Sequence, residues 1–213
     1  MYRIATSLTL IACLIPATVG ADYPAAGKFL VATEELRGAA FARTVILLLQ
    51  YEETGAMGLV VNRPTEAALA DLLIDAEALS NYRGTLYWGG PVQMSSVRAL
   101  LHSDAPPEGA MTIVDDVHLI PFDEAMPDTP TGQASLRFFI GYAGWAPGQL
   151  DRELAAGSWD VLPATADMVF AEDPGVIWQR LTPVRQYRAA IESGPNYGSM
   201  GIRIRDRQSD AGT

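Results

Sequence analysis

The stretch Arg43–Pro64, RTVILLLQYEETGAMGLVVNRP, decides the architecture. Arg43–Tyr51 is apolar through its whole middle, the pattern of a strand buried on both faces. Glu52-Glu53-Thr54-Gly55 supplies a turn and Ala56–Val61 a second apolar strand, so the pair predicts a β-hairpin. Asn62-Arg63-Pro64 closes it, because proline withdraws a ladder donor. Thr65 is then placed to cap a helix over Glu66–Ile74, with Leu69, Leu72 and Leu73 on one face.

Working outward, Lys28–Ala32 reads as a short strand before the hairpin. After it, Thr85–Trp88 is a brief strand stopped by Gly89-Gly90-Pro91, and Val97–His102, Met111–Val114 and Val117–Ile120 are further strands. Leu136–Tyr142 is a core strand. Gly144-Trp145-Ala146-Pro147-Gly148 turns the chain into a helix over Gln149–Ala156, which Gly157 ends. Trp159–Leu162 is strand-like, Pro174 opens a helix through Leu181, and Val184–Glu192 suggests a last one. There is no repeat or obvious linker; Ser103–Gly109 is a surface loop. Strand runs with interspersed helices, joined partly by hairpins, predict a single mixed α+β domain over residues 22–200.

The chain has 213 residues, 49% hydrophobic and 19% charged, enough to build a sizeable core. Its 15 Lys+Arg against 25 Asp+Glu give a net charge of -10. Affinity for nucleic acid comes largely from cations neutralising phosphates, so this balance disfavours DNA or RNA as a partner. One Cys and two His leave little scope for soft metal chemistry.

The ends differ from the body. Met1–Arg3 carries one positive charge, Ile4–Val19 carries none, and Pro16 precedes Val19-Gly20-Ala21. A short apolar helix, a breaker and small residues at -3 and -1 fit a signal peptide over residues 1–21, cleaved after Ala21. The mature chain would start at Asp22, without cysteine or transmembrane anchor, in the periplasm or secreted. Two alternatives stay open: lipidation at Cys13, and a mis-assigned start codon before a cytoplasmic domain. Residues 201–213 form a polar tail.

Several stretches together resemble the AlgH/YqgE family. Gly27-Lys28-Phe29-Leu30-Val31-Ala32 looks like its opening, and Phe41-Ala42-Arg43-Thr44-Val45 with Gly55–Pro64 looks like its hairpin motifs. Gly89-Gly90-Pro91-Val92 and Gly141–Leu150, followed by Glu153-Leu154, complete the likeness in the same order over about residues 27–182. The resemblance implies an α+β fold whose mixed or antiparallel bifurcated sheet closes into a pseudo-barrel with flanking helices. The family's common label, transcriptional regulator, rests on no known DNA-reading motif. The leader and the region after Leu181 depart from the family pattern.

The usual enzyme signatures are missing: no G-x-S-x-G, P-loop, H-E-x-x-H or G-x-G-x-x-G. No catalytic residue, metal site or cofactor is assigned. Asp115-Asp116-Val117-His118 reads as a polar turn, since the two carboxylates would diverge on a strand. His102 reads as a hydrogen-bonded, partly buried histidine. Asn62 and Arg63 stand where a strand end can present a cation and N–H groups to an anion; the competing reading is a turn in which Asn62 bonds its own backbone and Arg63 is solvated. Gly89 and Gly90 relax a tight corner or admit a ligand. Tyr142 and Trp145 offer flat apolar area, on one wall if the turn brings them together, with Trp145 expected to be partly exposed. Gln149 either touches a ligand or folds back on its helix start.

The preferred function is therefore an exported, non-enzymatic interaction or regulatory protein with an unknown protein partner. The alternative is a small-molecule binder or enzyme using the Asn62/Arg63 and Tyr142/Trp145 region, and the weakest is a DNA-binding regulator. Surface character discriminates among them. Converging polar groups in a concave pocket favour the second, an uncharged aromatic patch the first, and a basic stripe the third.

Overall fold

The apolar hairpin forms as the sequence predicts. A computed structural model of the chain describes residues 23–36, 40–68, 85–120 and 135–183. In it β1 (Lys28–Ala32), β2 (Val45–Glu52) and β3 (Gly55–Val60) run antiparallel to one another in sequence order. Val45–Leu49 is buried throughout because both faces of β2 are covered.

The expected helix after the hairpin is corrected over its first residues. β4 (Pro64–Ala68) pairs with β5 (Thr85–Trp88), and the Thr65 hydroxyl donates to the Leu86 carbonyl at 2.8 Å instead of capping a helix. Pro64 takes the first strand position, where a missing N–H is tolerated, and pairing across the sheet overrides local helix preference. Residues 69–74 lie outside the described residues, as do the leader, the segment 184–192 and the tail.

The rest of the sheet comprises β6 (Val92–His102), β7 (Met111–Val114), β8 (Val117–Ile120), β9 (Ser135–Trp145) and β10 (Trp159–Pro163). Helix α1 (Gln149–Ala155) precedes β10 and α2 (Ala166–Val169), which the sequence reading missed, follows it. A 3-10 turn at Pro174–Val176 leads into α3 (177–183). The sheet order is β10-β1-β2-β3-β9-β6-β8-β7, with β5 parallel to β9 on a side branch. Phe138, Phe139 and Ile140 of β9 pair with both β5 and β6, whereas Ala143, Gly144 and Trp145 pair with β3. The strand therefore serves two sheet branches in succession, which is the bifurcation.

Gly141 makes the split possible. Its φ of 66° is the left-handed conformation glycine adopts without penalty, and the β6–β9 register slips between Val92 and Val97. One residue in this conformation inverts the side-chain alternation. Phe139 and Tyr142 consequently both face the inside of the curl, while Ala143 and Trp145 face out. The curl brings the chain before β1 against β7: a Cβ on Gly27 would stand 2.5 Å from the Ile113 carbonyl oxygen. The result is a single-domain, mostly antiparallel half-barrel with few helices among the described residues.

Burial follows the alternation. Phe29, Leu47, Leu59, Phe139 and Leu162 fill the inside, covered by Val169, Ile177 and Leu181 of α2 and α3. Leu30, Ile46, Leu48 and Val60 point the other way, under Trp145, Leu150 and Trp159. Leu86, Ala99, Leu101, Ile120 and Phe138 form a third cluster on the outer face of the second branch. Each such fully buried side chain contributes roughly 1.5–3 kcal/mol.

Candidate functional site

Asn62 and Arg63 follow β3, with a bend at Asn62, and both side chains bond the segment that leads into β2. The buried Asn62 amide extends the ladder: its Oδ1 accepts from the Val45 N–H at 2.8 Å and its Nδ2 donates to the Arg43 carbonyl at 2.9 Å. It bonds the neighbouring strand, where the sequence suggested its own backbone. Arg63 is not simply solvated. Its guanidinium donates to the carbonyl oxygens of Ala40 and Ala42, the latter at 2.9 Å, and lies 5.2 Å over the Trp88 ring. Desolvation pulls its pKa below the ordinary arginine value. These carbonyls and the ring occupy the cation that the anion-site reading required.

Gly89 and Gly90 are buried at the branch point. Gly89 donates to the Ile140 carbonyl at 2.8 Å and accepts from the Val60 N–H at 3.0 Å. A Cβ on Gly89 would meet the Gly141 carbonyl oxygen at 2.4 Å, and one on Gly90 would meet Tyr142 and Ala143 backbone at 2.2–2.3 Å. The backbone that approaches here is β9.

The Tyr142 and Trp145 rings pack on opposite faces of β9, Tyr142 against the inner cluster and Trp145 in the outer one, so the two rings do not form one wall although both residues border the same groove. Trp145 is 8% exposed, which corrects the expected partial exposure. It stands edge-on to Trp159 at 6.2 Å, and Trp159 meets Phe41 at 6.0 Å. The Trp145 and Trp159 indoles donate to the same Glu153 oxygen at 2.9 and 2.8 Å, and Gln149 donates to the other at 2.9 Å. Gln149 also accepts from the Ala146 N–H at 3.1 Å, bracing the turn into α1. Glu153 is thus the hub of this corner.

Tyr142 is half-buried at the hairpin end of the half-barrel, where Met57 also reaches the edge of the inner cluster. A groove of about 400 Å³ opens there, lined by Gln50, Thr54, Met57, Val92 and Tyr142 together with Gly144 and Trp145. A Cβ on Gly144 would stand 3.0 Å from the Tyr142 ring, so its absence lets the ring lie across the strand. The Arg98 guanidinium caps this ring at 4.4 Å and donates to Ser96 Oγ at 2.9 Å. Met94, 44% exposed, lies beside the kink. Of the sequence candidates, only Tyr142 and Trp145 line this groove.

A second cleft, of about 500 Å³, lies at the opposite end of β9. His102, Ser135, Asp167, Phe170, Glu172 and Arg180 are among its walls. His102 Nε2 is 2.9 Å from Asp116 Oδ2, and the imidazole stacks on Phe170 at 5.3 Å. Asp116 belongs to the β7–β8 turn, as the polar-turn reading expected. His118, in contrast, is buried, with its two ring nitrogens on Thr112 Oγ1 and the Ser103 carbonyl. Nearby, Arg137 donates to the Val169 and Ala171 carbonyls and stacks against Tyr87 and Phe170. Burial lowers its pKa and raises that of Tyr87. The sequence reading did not group these residues, because only strand register juxtaposes them.

Residues 29–186 match a family model described as AlgH-like (DUF179). A UPF0301 protein of Streptomyces avermitilis is 34% identical over 161 residues, covering 73% of this chain and 83% of the relative. Among solved structures, a Corynebacterium diphtheriae protein superposes with a TM-score of 0.64 at 25% identity, covering 76% of this chain and 87% of its own. The solution structure of the AlgH protein from Pseudomonas aeruginosa gives 0.56 at 29% identity, covering 80% and 89%. With its branched sheet, its motifs and these likenesses in agreement, the chain belongs to the AlgH-like family.

Proposed function

We propose that this protein is an exported interaction or regulatory protein that receives a protein partner in the groove at the hairpin end of its half-barrel. The observation that carries this reading is the lining. Gln50, Thr54, Met57, Val92 and Tyr142 bring aromatic and apolar surface with neutral polar groups, and among the described lining residues there is no carboxylate, imidazole or cation. Such a wall binds by area and shape; it holds no acid–base pair for chemistry. A DNA-binding role finds less support. Arg43, Arg63, Arg98 and Arg137 are each stacked on an aromatic ring, and the chain as a whole carries a net charge of -10. Export rests on the leader of residues 1–21.

A photo-crosslinking residue at Thr54, which is exposed on the groove, tests the reading in cells carrying the full-length gene. The expected result is a discrete adduct in the envelope fraction, absent from a control at exposed Glu108 and lost in Tyr142→Ala. The same preparation should begin at Asp22 on N-terminal sequencing. Equal crosslinking from both positions would overturn the groove, and an intact Met1 would overturn export.

A further inference from the structure

The second cleft holds groups that the binding reading does not use. His102 and Ser135 are directly paired across β6 and β9, so their side chains rise from the same face with Cβ atoms about 4.5–5.5 Å apart. Both line the cleft. Nε2 of His102 is 2.9 Å from Asp116 Oδ2, and a neutral ring that donates to that carboxylate from Nε2 has its lone pair on Nδ1. Nδ1 is the nitrogen nearer the backbone, and therefore the one at the height of a cross-strand serine hydroxyl. Phe170, stacked on the imidazole at 5.3 Å, fixes the ring plane. Arg180 lines the same cleft and brings a cation to it.

We propose that this cleft is an acyl-transfer site, with Ser135 as nucleophile, His102 as general base and Asp116 as the positioning carboxylate. The roles match those of a serine–histidine–aspartate constellation, which is recognised by geometry and not by order in the chain. Ser135 Oγ bonds to the carbonyl carbon of an ester while its proton passes to His102 Nδ1. The ester C–O bond then breaks, and His102 returns the proton to the departing alkoxide, which leaves as alcohol. Water attacks the acyl-serine by the same route, releasing the carboxylic acid and restoring the hydroxyl. Arg180 supplies positive charge for the developing oxyanion. Asp167, Glu172 and Asp173 on the walls repel anionic substrates, so the substrate class is short neutral or amine-bearing esters.

The test is labelling of the full chain with a neutral fluorophosphonate, in which Ser135 Oγ–P bond formation expels fluoride and the proton leaves with it. Peptide mass analysis should place one adduct on Ser135. His102→Gln should slow labelling by about 100-fold or more. Asp116→Asn, in the partly exposed β7–β8 turn, should slow it by about tenfold or more with the melting temperature unchanged, which separates positioning from folding. Absence of a Ser135 adduct under conditions that label a standard serine esterase would overturn the proposal. So would an adduct whose rate is indifferent to both variants. Neither result bears on the groove, whose crosslink is read elsewhere on the molecule.

Discussion

Replacing Glu153 by alanine tests how the aromatic corner is held. One carboxylate oxygen accepts both the Trp145 and Trp159 indole N–H groups, at 2.9 and 2.8 Å, and the other accepts from Gln149. Both indoles are buried, at 8% and 4% exposure, so their donors have no ready replacement once the carboxylate is gone. A buried donor left unsatisfied costs about 1–3 kcal/mol. Glu153 itself is only partly buried, and water entering the space relieves some of that cost. The expected loss is therefore about 2–4 kcal/mol, and at roughly 2–4 °C per kcal/mol for a domain of this size the midpoint should fall by about 5–15 °C. Glu153→Gln keeps one oxygen at the indoles and should lose less than half as much. Differential scanning calorimetry measures the midpoints, and tryptophan emission should shift to the red in the alanine variant as the corner hydrates. A Glu153→Ala midpoint within 2 °C of the parent, at that precision, would refute the hub.

Other perturbations probe the sheet and the surface. Leu48→Asp places an unpaired charge at a fully buried position of β2, costing several kcal/mol against a total of about 5–15 kcal/mol; circular dichroism should show little folded soluble protein. Gly141→Ala should destabilise by more than about 1 kcal/mol from its φ of 66° alone. The new Cβ would also stand 2.3 Å from the Gly90 carbonyl oxygen, so chemical denaturation should show a larger loss than that. The Tyr51 hydroxyl is bonded to Asp151, and that bond, followed by desolvation and the negative charge of Asp151, raises its pKa above the ordinary value near 10. A raised folded-state pKa gives stability that is fully present below pH 10 and lost as pH rises through the folded value. Tyr51→Phe should flatten part of that alkaline decline in a melting series from about pH 8 to 11.5, with Tyr87, raised mainly by burial, responsible for some of the remainder.

Much of the fold was legible because its signals are local. The apolar run in Arg43–Tyr51, the Glu52–Gly55 turn and the second apolar run define β2 and β3 without reference to the rest of the chain. The short strands at Thr85, Met111, Val117 and Trp159 and the helix from Gln149 appear within a residue or so of their expected bounds. The helix after Thr65 failed at its start, because pairing of Pro64–Ala68 with Thr85–Trp88 depends on residues about twenty positions away. The candidate site was legible only in part. Composition marked the Tyr142–Gln149 corner as a cluster, yet a single glycine at φ 66° decided that the Tyr142 ring joins the inner cluster and the Trp145 ring the outer one. Nothing in the spacing of Asp116, His102 and Ser135 announces their meeting.

The sequence by itself determined a hydrophobic strand-rich domain, its central hairpin, its family motifs and a net charge of -10, since those depend on side-chain type and short-range order. Tertiary structure decided which donors remain available. Asn62, Arg63, Gly89, Gly90 and Gln149 all carry polar or permissive chemistry, and the fold spends it on carbonyls, backbone contacts and the turn before α1. The physical reason is that hydrogen-bond satisfaction and strand register are properties of pairs: a residue's partner is fixed by what the sheet brings opposite it, and no residue encodes that alone.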